Sequence, residues 1–175
     1  MIIRKAIEKD IPAVADIFSN IHTAEEEGSV TIGWIRAIYP TEATARAALE
    51  RGDLFVMEDE GALVGTAVIN QQQVDVYVGG AWKHDAPAEQ VMVLHTLVVD
   101  PAEAGRGLGT RFVDFYEDMA ARSGCPYLRM DTNARNAAAR ALYKKLGYIE
   151  VSIVPCVFNG IAGVNLVLLE KTLDI

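Results

Sequence analysis

The stretch Gly105-Arg106-Gly107-Leu108-Gly109 sets glycines at alternate positions, a few residues after an apolar run and directly before one with helical apolar spacing. Glycine has no Cβ, so such a turn folds tightly and lets its backbone approach a ligand. The first N–H groups of a helix find no partner inside it and carry the positive end of the helix dipole. Strand, glycine turn and helix together make an anion site that a pyrophosphate fills, and Arg106 adds a fork of donors beside it. The same residues also suit a plain strand-to-helix turn. Other phosphate-binding patterns lose ground. No Gly-x-x-x-x-Gly-Lys-Ser/Thr loop for a nucleoside triphosphate is present. A dinucleotide fingerprint would place Gly-x-Gly-x-x-Gly beside the first strand, whereas these glycines lie past the middle of the chain with a different spacing. Metal and redox chemistry find no footing either: His22, His84 and His95 are scattered, and Cys125 and Cys156 form no Cys-x-x-Cys pair.

The elements that must hold this turn can be read along the chain. Ile2 to Ala6 reads as a short strand. Asp10 predicts an N-cap with Pro12 in the first turn, and Ile11, Val14, Ile17, Phe18 and Ile21 keep a helical period up to a stop at Gly28. Val30 to Tyr39 is apolar without a clean period. Thr41 caps a second helix that ends at Gly52. Leu54 to Met57 and Leu63 to Ile69 predict a hairpin across Glu58-Asp59-Glu60-Gly61. Within the polar stretch Gln71 to Gln90, the strand formers Val74, Val76, Tyr77 and Val78 predict an extension of that hairpin or a short arm. Met92 to Val99 is the longest apolar strand, so it belongs in the middle of a sheet covered on both faces. A helix with Leu108, Phe112, Phe115 and Met119 on one face follows the glycines and stops at Gly124. Tyr127 to Thr132 is the next strand, and Asn136 caps a helix that stops at Gly147. Tyr148 to Pro155 and Val164 to Leu169 close the chain around an Asn159-Gly160 turn. Antiparallel strands first and a parallel step around the glycines define an α/β or α+β fold.

Composition narrows the partners. The 175 residues suit one compact domain, residues 1–175, and 51% hydrophobic content supplies a core without disulfides or a structural metal. A net charge of −8 argues against nucleic acid, whose phosphates attract Lys and Arg, and fits small cations such as amines. The N-terminus lacks a signal-peptide apolar run, and nowhere do ~18 apolar residues follow one another. The expectation is a cytoplasmic protein with no membrane partner, as a monomer or a homodimer.

The stretch His95-Thr-Leu-Val-Val-Asp-Pro-Ala-Glu-Ala-Gly-Arg-Gly-Leu-Gly109 resembles the acyl-CoA-binding motif of the GNAT superfamily of N-acetyltransferases. That motif is a central strand ending near Asp-Pro, then Arg/Gln-x-x-Gly-x-Gly/Ala opening a helix. Asn136-Ala-Ala-Ala-Arg-Ala-Leu-Tyr-Lys-Lys-Leu-Gly-Tyr148 is similar to the family's next motif, Asn-x-x-Ala-x-x-Leu-Tyr-x-x-x-Gly-Phe/Tyr, in the expected order and separation. With the element order, the likeness covers nearly the whole chain, most strongly residues 92–150. One departure stands out: where the family carries Arg or Gln, three residues before Gly107, this chain has Ala104. Arg106 and the backbone amides are then left to compensate. The implied fold is a mixed, mostly antiparallel seven-stranded sheet with a splayed central parallel pair and helices on both faces.

The resemblance also implies roles. Acetyl-CoA would be the cosubstrate, with no metal. Its phosphates would lie on Gly105, Arg106, Gly107, Leu108, Gly109 and Thr110, and its pantetheine arm along the backbone of Leu97, Val98 and Val99, with Asn136 hydrogen-bonding the arm. A Val99-side amide would polarise the thioester carbonyl, a fixed-dipole effect worth ~3 kcal/mol in other enzymes. Tyr143 matches the general acid that protonates the departing thiolate; helix-face packing is its other reading. His95, expected on the same strand face as Val93 and Leu97, is a candidate base for the amine, or a satisfied core histidine. Glu25, Glu26 and Glu27 are alternatives to it, or a solvated helix end. The acceptor pocket would draw on His22, Glu26, Trp34, Tyr39 and Phe158, aromatic faces suiting an ammonium. The expected reaction is direct acetyl transfer to a primary amine of a small molecule. The rivals are a protein or peptide acetyltransferase and a non-catalytic acyl-CoA sensor.

Overall fold

The computed structural model describes residues 1–175. Its sheet has seven strands in the order β1-β2-β3-β4-β5-β7-β6. They are β1 Ile2–Lys5, β2 Leu54–Asp59, β3 Ala62–Asn70, β4 Val91–Val99, β5 Tyr127–Asn133, β6 Ile149–Phe158 and β7 Ile161–Thr172. The helices are α1 Ile11–Glu26, α2 Glu42–Arg51, α3 Leu108–Arg122 and α4 Ala137–Lys145. Every neighbouring pair is antiparallel except β4 and β5, which α3 connects as a parallel crossover. The mixed, mostly antiparallel sheet and its central parallel pair are therefore as the sequence predicts. No helix is long and apolar enough to cross a membrane.

One face of the sheet is covered by α3 and α4, whose Leu108, Phe112, Val113, Tyr116 and Tyr143 pack on Met57, Leu94, Leu128 and Met130. On the other face α1 and α2 bury Ile11, Val14, Ile17, Phe18, Ala45 and Ala48 against Leu54, Val56, Val68 and Val98. The rest of that second face, over β4, β5 and β7, is covered by chain without helices: Trp34 and Tyr39 from one segment, Val74, Tyr77 and Trp82 from another.

The second of these segments corrects the sequence reading. Gln71 to Gln90 adds no strand; it contains 3-10 turns at Asp75–Gly79 and Ala88–Gln90. Asn70 ends β3 by accepting the Gln72 N–H at 2.9 Å, a side-chain turn that competes with the ladder. Tyr77 is then buried against the sheet, and Trp82 donates to its carbonyl at 2.7 Å while lying 4.2 Å from the Arg129 guanidinium. Tertiary anchoring of two aromatic rings outweighs the strand propensity of the valines. Asp10 is a smaller correction. It precedes α1, but its carboxylate takes the Ile7 N–H at 2.8 Å and the Arg4 guanidinium at 2.7 Å instead of capping the helix.

Two irregularities in β4 shape everything near the site. The β4–β5 register runs only from Val91↔Tyr127 to Leu94↔Met130, so the strands part while β4 continues to Val99. On its other side, the pairing passes from Val68↔His95 to Thr66↔Val98. Thr96 and Leu97 thus share one position, and Thr96 takes a positive φ of 47°, the mark of a bulge. Leu94, Leu97 and Val99 consequently face α3 and α4, while Val93 and Val98 face the opposite way. Within the paired stretch, the Tyr116 hydroxyl lies 2.6 Å from the Met92 carbonyl and 3.1 Å from that of Arg129, tying both strands to α3 before they part. Tyr116→Phe removes this buried bond and should cost about 1–3 kcal/mol in denaturant unfolding, with the midpoint shifted and the slope unchanged.

Candidate active site

Past Leu94 and Met130 the parted strands open a cavity of about 170 Å³. It is lined from both faces of the sheet. Leu97, Val99, Asn136, Ala139 and Tyr143 reach it from the α3–α4 side, and Trp34, Tyr39, Val74, Asp131 and Phe158 from the other. A backbone edge without its neighbour is costly in an interior unless something pairs with it, so this edge of β4 is an open half-ladder.

The glycine turn follows the far end of that edge. The amides from Gly105 through Thr110 make no hydrogen bond within the protein; the first helical bond runs from Arg111 N–H to Gly107 C=O at 3.2 Å. Gly105 and Gly107 have φ of 81° and 72°, and a Cβ on either would meet nothing within 4 Å. Gly105, Arg106 and Gly107 are exposed, so these unpaired donors are open to an anion, as a cradle requires. Residues and spacing fit an acyl-CoA. Gly109 does something else: a Cβ there would lie 3.1 Å from Leu142, so this glycine sets the close approach of α3 and α4. Arg106 departs from expectation. Its guanidinium is held by Asp59 at 2.6 Å and by Glu103, so its fork is occupied by carboxylates and compensation for Ala104 falls to the amides.

Tyr143 is buried, lines the cavity, and stacks edge-on with Tyr148 at 6.0 Å between ring centres. Its hydroxyl has no partner among the protein's hydrogen bonds, and burial, with the Asp131 charge added, raises its pKa well above that of a free phenol. It stays protonated, as a proton donor must. Asn136 caps α4 by accepting the Ala139 N–H at 3.1 Å, which leaves its amide hydrogens free to donate into the cavity.

His95 lies on the cavity wall, but the bulge puts it on the face of Val93 and Val98, not on that of Leu97. It ends a chain of hydrogen bonds: Arg51 holds Asp53 at 2.9 Å, Asn70 donates to Asp53 at 2.7 Å, and His95 Nε2 lies 3.0 Å from Asn70 Oδ1. A carboxylate only accepts, so the Asn70 amide points to Asp53 and its oxygen receives the imidazole N–H. Nδ1 carries the lone pair. Burial pulls the imidazole pKa down to about 4, so the ring is neutral at pH 7.

The acceptor-side residues divide. Trp34, Tyr39 and Phe158 line the cavity, with Trp34 and Tyr39 edge-to-face at 5.9 Å and the Tyr39 hydroxyl bonded to Thr96 Oγ1. His22 and Glu26 do not reach it. His22 is buried beneath the loop with Nε2 2.9 Å from the Pro40 carbonyl, and Glu26 is exposed and paired with Arg36 at 2.8 Å. Glu25 is no free base either: its oxygens take the amides of Ile32 and Gly33 at 2.7 and 3.1 Å. The helical period of α1 turns these side chains toward the loop they hold. Sequence reasoning missed Asp131, which lies on the cavity wall with Oδ2 accepting the Tyr77 hydroxyl at 2.7 Å. An acid inside a central strand was the available signal, since burying a carboxylate is costly without a use.

A sheet opened in its middle onto a cradle of bare amides belongs to an enzyme that moves an acyl group off a nucleotide thioester. The sequence matches the acetyltransferase (GNAT) family over residues 15–148, and the chain belongs to that family: it is an N-acetyltransferase. An N-acetyltransferase of Bacillus subtilis, YhfO, itself uncharacterized, is 26% identical over 152 residues, spanning 86% of this chain and 91% of that protein. N-alpha-acetyltransferase RimI of Mycobacterium tuberculosis is 43% identical over a shorter stretch of 60 residues, 34% of this chain and 36% of that protein. The yncA protein of Salmonella typhimurium, solved with its cofactor acetyl-CoA, has the same fold with a TM-score of 0.71 at 22% identity, covering 100% of this chain and 95% of that one.

The loop over the acceptor side depends on Glu25. Glu25→Ala should speed hydrogen exchange at the Ile32 and Gly33 amides about tenfold or more, the loss expected for bonds to a charged acceptor, while amides of β5 and β7 keep their protection.

Proposed function

We propose that the chain transfers the acetyl group of acetyl-CoA directly to the primary amine of a small molecule. The observation that carries this reading is the closure of the acceptor side. Segments 30–39 and 71–90 both pack over the cavity, and Trp34, Tyr39, Val74 and Phe158 wall it in where an extended peptide would need an open groove. Acetyl-CoA supplies an activated carbonyl and a thiolate leaving group. The amides of residues 105–110 would receive its phosphates, and the unpaired edge of β4 from Leu97 to Val99 would bind its arm as an added strand. Asn136 would hold the arm from α4, and a Val99-side amide would face the carbonyl oxygen. Tyr143, kept protonated by burial, would give its proton to the sulfur. His95, which lines the cavity, is the proton acceptor that the sequence points to. Its depressed basicity makes it a weak one.

A second reading, acetylation of a protein N-terminus, is favoured by the likeness to the M. tuberculosis N-alpha-acetyltransferase. Thiol release from acetyl-CoA, measured with a panel of small amines and of short peptides, separates the two. Turnover on amines with none on peptides supports the proposal, and the reverse supports the second reading. Binding of acetyl-CoA with no turnover on either marks a sensor. Tyr143→Phe should lower kcat on the accepted amine by about 100-fold or more, with acetyl-CoA affinity by calorimetry unchanged.

A further inference from the structure

Resting on that reading, we infer that Asp131 receives the acceptor's ammonium group and takes its proton, and that the acceptor is a compact apolar monoamine without a carboxylate or phosphate. Asp131 sits on β5 just past the last β4–β5 pair, Leu94↔Met130, where the parting of the strands exposes it to the cavity. Its Oδ2 is fixed by the Tyr77 hydroxyl at 2.7 Å, and Oδ1 has no hydrogen-bond partner in the protein. One oxygen is thus anchored and the other is available. Tyr143 reaches the same cavity from the opposite face, so a nitrogen held at Asp131 and a sulfur beside Tyr143 would lie on either side of the opening.

Charge decides the acceptor's chemistry. Asp131 is the sole carboxylate lining the cavity, and no Lys or Arg lines it. A carboxylate or phosphate on the acceptor would find no counter-ion there and would repel Asp131. Around it the wall carries apolar and aromatic residues, Ile32, Trp34, Val74, Phe158, Ile161 and Val164, and its other polar groups, among them Thr132, Asn133 and Asn159, are uncharged. Such walls reward an apolar body on the amine.

The groups that face Asp131 leave its charge uncompensated. Tyr77 comes from the 71–90 segment, Tyr39 from the 30–39 loop, Tyr143 from α4 and Cys156 from β6, all neutral at pH 7. His95 on β4 is also neutral. Arg129, on the same strand, is committed to Gln73, to the His84 carbonyl and to Glu170. Burial accordingly lifts the Asp131 carboxyl to about 6, close to what a base working near neutrality needs. The proton balance closes. The ammonium gives one proton to the Asp131 carboxylate, and the freed nitrogen pair forms the bond to the acetyl carbon. The C–S bond breaks with its electron pair on sulfur, which takes the Tyr143 proton. The surplus proton on the new amide nitrogen restores the phenol, and Asp131 releases its proton to solvent.

The test uses the whole protein, acetyl-CoA, and paired acceptors: 2-phenylethylamine and shorter alkyl monoamines against phenylalanine, which adds only a carboxylate. Wild type should acetylate a monoamine, discriminate against its carboxylated counterpart by about 100-fold or more in kcat/KM, and lose activity as pH falls through about 6. Asp131→Asn should lower kcat/KM by about 100-fold or more and abolish that acid limb, with acetyl-CoA binding by calorimetry reporting an intact fold. Asp131→Glu should restore part of the rate and the limb. An Asp131→Asn enzyme with wild-type rate and pH profile overturns the role of Asp131 alone. Preference for the carboxylated acceptor overturns the substrate class alone. An enzyme that binds acetyl-CoA but turns over none of the small amines overturns both this inference and the small-amine reading beneath it.

Discussion

The parting of β4 from β5 after four residues of parallel ladder is the constraint on which the rest of the molecule depends. A central strand in a covered sheet has hydrogen-bonding groups on both edges, and leaving one edge unpaired is tolerable only where a ligand or solvent can reach it. The bulge at Thr96 completes the device. It keeps β4 paired to β3 on one side while turning Leu97 and Val99 toward α3 and α4. Tyr116 ties the paired stretch of both strands to α3. Without that opening the amide cradle, the buried phenol of Tyr143 and the carboxylate of Asp131 would be separated by a continuous sheet.

The opening joins two environments of different electrical character. On the α3–α4 side lie unpartnered N–H groups and a phenol held in its neutral form, suited to an anionic cosubstrate. On the other side lie aromatic rings and one carboxylate, suited to a cation. The overall charge of −8 says little about this division. The one basic side chain in the glycine turn, Arg106, is neutralised by Asp59 and Glu103, which leaves the backbone dipoles as the turn's positive groups.

Much of the fold was legible because its signals are local. Glycine stops at Gly28, Gly52, Gly124 and Gly147, all with positive φ, mark helix ends that need no tertiary information. The Gly105–Gly109 turn, Asn136 and Tyr143 were legible for the same reason, since each is fixed by the element it starts or rides on. What escaped depends on distant contacts. His22 and Glu26 sit at plausible positions on α1, yet the helix turns them to Pro40 and Arg36. Val74 to Val78 carries strand propensity, but Tyr77 is claimed by Asp131, 54 residues further along the chain. Assigning His95 to the Leu97 face assumed a regular alternation that one residue, Thr96, breaks. Asp131 shows in the sequence only as an acid inside a strand; its exposure to the cavity comes from the loss of a β4 neighbour beyond Leu94, which no periodicity records.

The acceptor wall is made of two stretches that contribute almost nothing to the ladder of the sheet. Segments 30–39 and 71–90 are fastened by side chains, Glu25 to one and Asp131 with Arg129 to the other, and their lengths are not dictated by any strand register. Selectivity and reactivity are coupled at one point: the Tyr77 hydroxyl ties Asp131 to the 71–90 segment, so rebuilding that stretch would reorient a carboxylate as well as reshape the space around it.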